Sequence, residues 1–268
     1  MTGHPEMTEA ASATPQGTSL YVYGVIPAAD ASGWPGAEGM DGPSASVRTV
    51  AEGELAALVS ALPADRTPGR REDLEAHRRV LSLANERGTT IPMRFGIVID
   101  GEDDVREQLL VRHAPELSDL LRRLDGHVQM TLRAFYAEDG LLREVAENDP
   151  EIVGRTAAIQ GLSELESRQQ RIELGELIAQ RVTARRERDG QALLDALSPI
   201  ATEVRVDPPG SERVALDAQL LVRRDRRSTL DTAVAVLGAA LEGQLALRYL
   251  GPLPPYSFAD LSLEAGGE

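Results

Sequence analysis

The sequence contains no cysteine and no lysine, and these two absences exclude whole classes of chemistry. Without cysteine there can be no disulfide, no thiolate nucleophile, no iron–sulfur cluster and no cysteine zinc site. Without lysine there can be no Schiff-base lysine, no lysine general base and no phosphate-loop lysine. Enzymes that depend on a thiolate or an amine are therefore excluded.

Positive charge and long apolar runs are also scarce. The 28 basic residues are outnumbered by 43 acidic ones, and the resulting net charge of −15 repels phosphate backbones and anionic lipid surfaces. No apolar run approaches the roughly 18 residues of a membrane-spanning helix. Residues 1–18 lack the basic start and apolar core of a signal peptide. We expect a cytoplasmic protein that binds neither nucleic acid nor membrane, with residues 1–18 and 262–268 as disordered tails.

Residues 19–125 have the pattern of a first α+β domain. Ser19–Pro27 is rich in β-branched and aromatic residues and predicts a central strand. Residues 30–46 place glycines and prolines around Trp34 and predict a mobile surface loop. The other predicted elements are short strands at 46–50 and 54–61, the second with a helical turn as the alternative, a helix at 72–87, a bent strand at 89–100, and a helix capped by Asp100 that ends near Leu124.

Residues 126–261 predict a second domain. Between His127 and Leu250 the hydrophobic period changes in the order strand, helix, strand, strand, helix, strand, which is typical of a ferredoxin-like βαββαβ unit. Ser228 is the predicted cap of its last helix. The helical pattern of residues 161–197 is longer than a small sheet can cover, so we expect an overhang or a break near Asp189-Gly190. The buried candidates in this long helical insertion include Leu162, Leu165 and Ile172.

Several side chains have the chemistry of a site, but each has a more ordinary structural explanation. His77 lies one helical turn after Asp73 and could share a hydrogen bond or a divalent ion with it, but no metal-ligand spacing is present. Ser163 lacks the glycine pattern of a nucleophile elbow. The acidic residues at 100–104 fit a helix start better than a calcium loop, and the arginines of 223–227 fit a solvated corner. We predict no catalytic residue, no metal site and no cofactor.

Two proline-broken segments combine apolar and aromatic groups in a way that suits protein contacts. Proline leaves backbone groups unpaired and presents side chains rigidly. The predicted contact residues are Pro92, Arg94 and Phe95 in one segment and Pro254, Tyr256 and Phe258 in the other. The alternative is purely structural, namely a bulged strand and a tail pinned to the core.

Four ordered blocks of the sequence carry a resemblance to a known family. They are SLYVYGVIP at residue 19, HRRVLSLANERGTTIPMRFG from His77 to Gly96, VQMTLRAFY at Val128, and YLGPLPPYSFADL near the end of the chain. Together they resemble the gas vesicle protein F and L family over about residues 19–261. The resemblance implies two α+β domains, the second a modified ferredoxin-like fold, and it provides no motif of catalytic residues.

The resemblance also implies a function. It points to a minor or accessory component of gas vesicle formation, found in the cytoplasm and gas vesicle, that binds the hydrophobic shell protein and other accessory proteins without enzymatic turnover. An acidic partner could keep the apolar surface of a shell subunit from aggregating. The alternative is a ligand-sensing regulatory module on the ferredoxin-like fold, which would need a buried polar pocket between the sheet and a loop.

Overall fold

The computed structural model describes residues 19–34, 37–40, 42–63, 66–137 and 140–260, in a fold that mixes α-helices and β-strands. The chain divides between Arg123 and Leu124 into two compact units. The tails predicted for residues 1–18 and 262–268 lie outside the described residues. No helix among the described residues is both long enough and apolar enough to cross a membrane.

The first unit is built on an antiparallel sheet whose central strand is β1. Its strands are β1 (Ser19–Pro27), β4 (Arg48–Glu52), β5 (Leu55–Leu62), β6 (Ile91–Pro92) and β7 (Val98–Asp100), and a separate ribbon consists of β2 (Glu38–Gly39) and β3 (Gly42–Ser46). β1 pairs with β5 on one side and with both β6 and β7 on the other, while β4 extends the sheet beyond β5. The strand predicted at Ser19–Pro27 is confirmed.

Helices complete this unit. α1 (Arg71–Arg87) packs on the side of the sheet that carries Tyr21 and Leu58. After β7, the chain forms α2 (Gly101–Asp104), a π-helical stretch (Val105–Val111) that contacts β4 and β5, and α3 (Ala114–Leu124). Asp100 is the N-cap residue of α2, as predicted, but its side chain forms no capping hydrogen bond. Its carboxylate instead accepts a hydrogen bond of 2.7 Å from Ser19 Oγ, because the two residues lie opposite each other in the β1–β7 pair.

The expectation of a surface loop around Trp34 is also wrong for that residue. Trp34 is only 5% exposed and belongs to the core of the first unit. The Arg87 guanidinium lies 4.7 Å from the centre of the indole ring, and indole Nε1 donates to the Asp30 carbonyl oxygen. The cation–π contact lets a charged side chain cover the apolar ring. Residues 35, 36 and 41 of the predicted loop lie outside the described residues.

The second unit contains a four-stranded antiparallel sheet in the order β11-β8-β10-β9. Its strands are β8 (His127–Tyr136), β9 (Glu203–Val206), β10 (Val214–Arg223) and β11 (Leu245–Leu253). Alternate residues of β8, such as Val128, Met130 and Leu132, face a core that the helices cover. The four strands predicted from periodicity are all present.

Four helices belong to this unit, namely α4 (Gly140–Asn148), α5 (Pro150–Ile159), α6 (Glu164–Leu197) and α7 (Arg227–Ala240). Ser228 does not cap α7, since the helix begins at Arg227 and its N-cap is Arg226. α6 is unbroken at Asp189-Gly190. At this point a Cβ on Gly190 would stand 2.5 Å from the Ala215 carbonyl oxygen, so the glycine permits close contact between helix and strand.

α6 is long because it extends past its sheet. Its 34 residues span about 51 Å, whereas the ten residues of β10 span about 33 Å. Three residues predicted to be buried near its N-terminus are exposed instead: Leu162, Leu165 and Ile172. Of the two alternatives left open by the sequence, the overhang is correct.

Candidate docking site

The candidate site of the first unit is built around two tyrosines of β1. Tyr21 and Tyr23 are fully buried, and their rings contact edge to face at 4.8 Å between centroids. The hydroxyl of Tyr23 accepts a hydrogen bond of 2.7 Å from the Met40 backbone N–H and shares a second bond with Ser60 Oγ. Burial raises the pKa of Tyr23. Tyr23 thus holds the β2–β3 ribbon against the sheet.

Tyr21 and His77 hold the loop between β6 and β7 in the same way. Tyr21 Oη accepts a hydrogen bond of 3.1 Å from the Gly96 N–H and lies 2.9 Å from His77 Nδ1. Tyr21 donates its proton to Nδ1, because the neutral ring has a single N–H and donates it to the backbone of Met93. His77 also forms a hydrogen bond with the backbone of Met93 that raises the pKa of the ring, so the ring donates it and the Met93 carbonyl accepts. Both ends of the loop are therefore fixed by one neutral imidazole and one phenol.

Burial keeps His77 neutral. The side chain is 2% exposed, and desolvation lowers its pKa from 6.5 to about 4, against the smaller opposing effect of the Met93 bond. A protonated ring would carry a hydrogen on Nδ1 and could no longer accept from Tyr21. The bond that the sequence left open between His77 and Asp73 is not the one formed, because the Asp73 carboxylate accepts from the backbone of Gly69 and Arg70 instead.

Four exposed residues of α1 and of the β6–β7 segment surround this clamp, and we call them the Phe95 patch: Leu74, Arg94, Phe95 and Val98. Phe95 is 37% exposed, and its ring contacts His77 at 5.7 Å in a T-shaped geometry. Leu74 lies one turn before His77 on α1, and Val98 pairs with Tyr21 across β1 and β7. Both are exposed large hydrophobic residues, and Arg94, which precedes Phe95 in the chain, is exposed as well.

The C-terminal segment of the second unit is pinned to its sheet. The Ser257 backbone N–H donates to Gln129 Oε1 at 2.9 Å, and Gln129 Nε2 donates to Ser257 Oγ. Phe258 is completely buried, and the Arg205 guanidinium covers its ring at 5.2 Å. Arg205 also forms an ion pair with Asp260. The segment therefore behaves as a structural clasp, which is the ordinary alternative that the sequence left open.

The six predicted contact residues divide evenly by burial. Pro92, Pro254 and Phe258 are buried in their own units, so they anchor the two segments to the core. Arg94, Phe95 and Tyr256 are exposed. Contact with another protein stays a prediction. Because buried residues cannot touch a partner, it now applies only to Arg94, Phe95 and Tyr256.

The remaining candidates have structural roles. Ser163 forms a capping box with Glu166 at the start of α6, and Glu102 of the acidic cluster pairs with Arg48 and Arg106, which lower its pKa against the desolvation that raises it. Arg223 pairs with Asp225 in the arginine-rich corner. Across the described ranges, no group of three or more histidine and acidic side chains is placed to hold a metal ion.

The clamp of Tyr21 and His77 was not predicted from the sequence. The available signal was two tyrosines at alternate positions of one strand, which point to one side of a sheet. Nothing in the sequence indicates that their hydroxyls reach the backbone of Gly96 and Met40, because these contacts join segments that are distant along the chain.

Comparison with known proteins gives a consistent result. The family "Gas vesicle synthesis protein GvpL/GvpF" matches residues 19–260. Gas vesicle protein F of a Streptomyces species is 36% identical over 242 residues, which cover 90% of this chain and all of that protein. Gas vesicle protein F2 of Halobacterium salinarum is 28% identical, over 92% of this chain and 94% of its own length.

Solved structures agree in fold. The crystal structure of the gas vesicle protein GvpF from Anabaena superposes with a TM-score of 0.83 at 26% identity, over 91% of this chain and 99% of that one. The GvpF structure from Microcystis aeruginosa gives a TM-score of 0.74 at 26% identity, over 91% of this chain and the whole of the other. The resemblance noted in the sequence is confirmed.

Proposed function

We propose that this chain, which belongs to the gas vesicle synthesis protein GvpL/GvpF family, acts in gas vesicle assembly by binding the hydrophobic shell protein. The family gives the chain a gas vesicle role, and the binding step is our addition. The observation that carries it is the exposed Phe95 ring, which a buried hydrogen-bonded clamp holds in place.

A fixed aromatic ring is an effective contact residue. An aromatic side chain supplies a large apolar area, and little conformational entropy is lost on binding when the ring is already held. Phe95 packs on Tyr21 and His77, and its loop is hydrogen bonded at Gly96 and Met93. The Phe95 patch is therefore suited to bind an apolar surface without prior rearrangement.

Charge supports the same role. A shell subunit exposes apolar surface before it assembles, and a partner with a net charge of −15 makes such a complex more soluble. In this proposal the chain binds the shell protein and other accessory proteins and releases them into the growing vesicle, without forming or breaking covalent bonds. Arg94, Phe95 and Tyr256 are the contact residues we assign.

We also propose that the second unit, over about residues 126–261, is a modified ferredoxin-like domain with a helical insertion, and that residues 19–125 form the first domain. The strand order β11-β8-β10-β9, with every pair antiparallel, supports this description. The groove found on α6 is open to solvent and does not supply the buried polar pocket that a ligand-sensing module would need.

The test measures capture of the shell protein by purified chain. Phe95→Ser is compared with the wild type and with Val111→Ser, a matched control that removes an exposed valine of the same unit outside the Phe95 patch. We expect Phe95→Ser to reduce capture at least tenfold, because it removes the aromatic anchor, and Val111→Ser to leave capture unchanged. Tyr256→Ser tests the second contact position in the same assay.

Two outcomes would contradict the proposal. If the wild type does not capture the shell protein, and deletion of its gene leaves vesicle yield unchanged, the binding role is wrong. If capture occurs but Arg94, Phe95 and Tyr256 can all be replaced without loss, the role stands and the assigned residues are wrong.

A further inference from the structure

The overhanging half of α6 carries an exposed, largely nonpolar stripe, and we propose that a second copy of this chain covers it by antiparallel pairing of the two α6 helices. The α6 stripe is defined as Leu165, Arg168, Ile172, Gly175 and Ala179. These residues recur every three or four positions and so lie on one face of the helix. All five are exposed, Leu165 at 91% and Ile172 at 48%.

The α6 stripe continues a face that is buried further along the helix. Its last three residues each lie 18 positions, or about five turns, before a buried residue of the C-terminal half, namely Gly190, Leu193 and Leu197. That half packs on the sheet of the second unit. The other side of the overhang buries Ser167 and Leu174, and α4 and α5 pack on this helix. One face of α6 is thus built for packing along its whole length and is covered along only part of it.

The two glycines of α6 differ in their surroundings, and Gly175 has no neighbour among the described residues of this chain that would explain it. Glycine is unfavourable within a helix and usually has a packing reason. Gly190 has one, because a Cβ there would stand 2.5 Å from the Ala215 carbonyl oxygen. At Gly175 a Cβ would meet no atom within 4 Å. A second helix that approaches the α6 stripe closely would give Gly175 the same role.

Size and charge favour a second copy as that helix. The first half of the α6 stripe is bulky and the second half is small, so antiparallel pairing places Ile172 of one copy over Gly175 of the other. The same arrangement brings Arg168 near Glu176 of the second copy, and neither side chain forms an ion pair with the residues that the structure describes. Parallel pairing would set Arg168 against its own copy, which is unfavourable.

The surface that the two helices would bury is small, so we expect the dimer to be weak. From Leu165 to Ala179 the α6 stripe is about 21 Å long and about 10 Å wide. A stable interface buries roughly 800 Å² on each partner, several times more than this strip. The proposed dimer is therefore weak and depends on protein concentration.

Cysteine cross-linking tests both pairing and direction, and the natural absence of cysteine makes each engineered thiol unique. Three single-cysteine variants are oxidised at high protein concentration: Gly175→Cys, Leu165→Cys and, as a control on the exposed surface of α7, Val236→Cys. In the antiparallel pair the two residues at 175 lie near the symmetry axis, whereas those at 165 are about 25 Å apart along the helices. We expect at least tenfold more disulfide-linked dimer at 175 than at 165 or 236.

The other outcomes overturn the proposal. Equal cross-linking at 175 and 165 would indicate parallel pairing, and no excess at 175 over 236 would indicate that α6 does not self-associate.

Sedimentation of the full chain over a range of concentrations gives an independent test. Gly175→Gln favours the helix but blocks close approach, so we expect the monomer to melt no lower than the wild type while the dissociation constant rises at least tenfold. Arg168→Glu and Glu176→Arg should each weaken the dimer several-fold, and the double variant should restore it to within about twofold. A dissociation constant that is unchanged by Gly175→Gln would refute the pairing. Variants that remain monomeric like the wild type yet lose capture of a vesicle protein would assign the α6 stripe to another partner.

Discussion

Acid should destabilise the first unit through the protonation of His77. The folded chain holds this histidine at a pKa of about 4, whereas an unfolded chain has the ordinary value of 6.5. Between these values the unfolded chain binds more protons than the folded one. The stability contributed by neutral His77 is therefore fully present above the unfolded pKa and is lost as the pH falls toward the folded pKa. The shift corresponds to about 3.4 kcal/mol in full, of which about 2.4 kcal/mol disappears between about pH 7 and about pH 4.5.

The assay is urea unfolding followed by tryptophan fluorescence. Trp34 is the only tryptophan of the chain and lies in the same buried cluster as Tyr21, so its fluorescence reports on the first unit. The comparison is between the wild type and His77→Gln, which retains an amide able to accept from Tyr21 but does not titrate. We expect the free energy of unfolding to fall by about 2 kcal/mol more for the wild type than for the variant over this pH range.

Tyr21→Phe separates burial from hydrogen bonding. It removes the hydroxyl that bonds Gly96 and His77, and we expect a loss of about 1–3 kcal/mol at neutral pH. The pH dependence should remain, because burial is the larger cause of the shift. Parallel pH profiles for the wild type and His77→Gln would refute the reasoning, as would a folded-state imidazole resonance of His77 that titrates near pH 6.5.

Three further predictions concern the second unit. Gly190→Ala should destabilise it by about 1–3 kcal/mol, because the new methyl would clash with the Ala215 carbonyl. Gly175→Ala should instead stabilise it by about 1 kcal/mol in dilute solution. Urea unfolding followed by circular dichroism compares the two variants. Phe258→Ala should cost about 3–5 kcal/mol and release the C-terminal segment to hydrogen exchange, and wild-type protection there would show that the clasp is unimportant. Ser163→Ala should cost about 1 kcal/mol and increase fraying at the start of α6, visible in the same exchange experiment.

Periodicity predicted most of the elements correctly because it depends on neighbours along the chain. β1, α1 and the four strands of the second unit follow from alternating or helical spacing between turn residues. Periodicity failed where a distant segment supplies the partner. Trp34 lies in a stretch that looks like a loop, yet Arg87 covers it from the end of α1. Leu165 has the spacing of a core residue, yet no part of the described chain lies over it.

The candidate site shows the same division. The sequence identified the segment around Phe95 and the C-terminal proline-rich segment, since proline and aromatic residues stand out in composition. It did not separate Arg94, which is exposed, from Pro92, which is buried, because exposure depends on the packing of β1 and α1 around the segment. Asp100 occupies the N-cap position that the sequence predicts, but its carboxylate bonds to Ser19 across the strand pair, which the sequence does not indicate.

The sequence is enough to establish the chemistry that this protein lacks, most of its strands and helices, and its resemblance to a family. These properties depend on residue type and on spacing within a segment. Only the tertiary structure decided which residues are covered, how His77 and Tyr21 fix the Phe95 loop, and where α6 leaves its sheet. Burial, and the hydrogen bonds and pKa shifts that follow from it, depend on which distant segments meet, and the spacing of residues along the chain does not specify this.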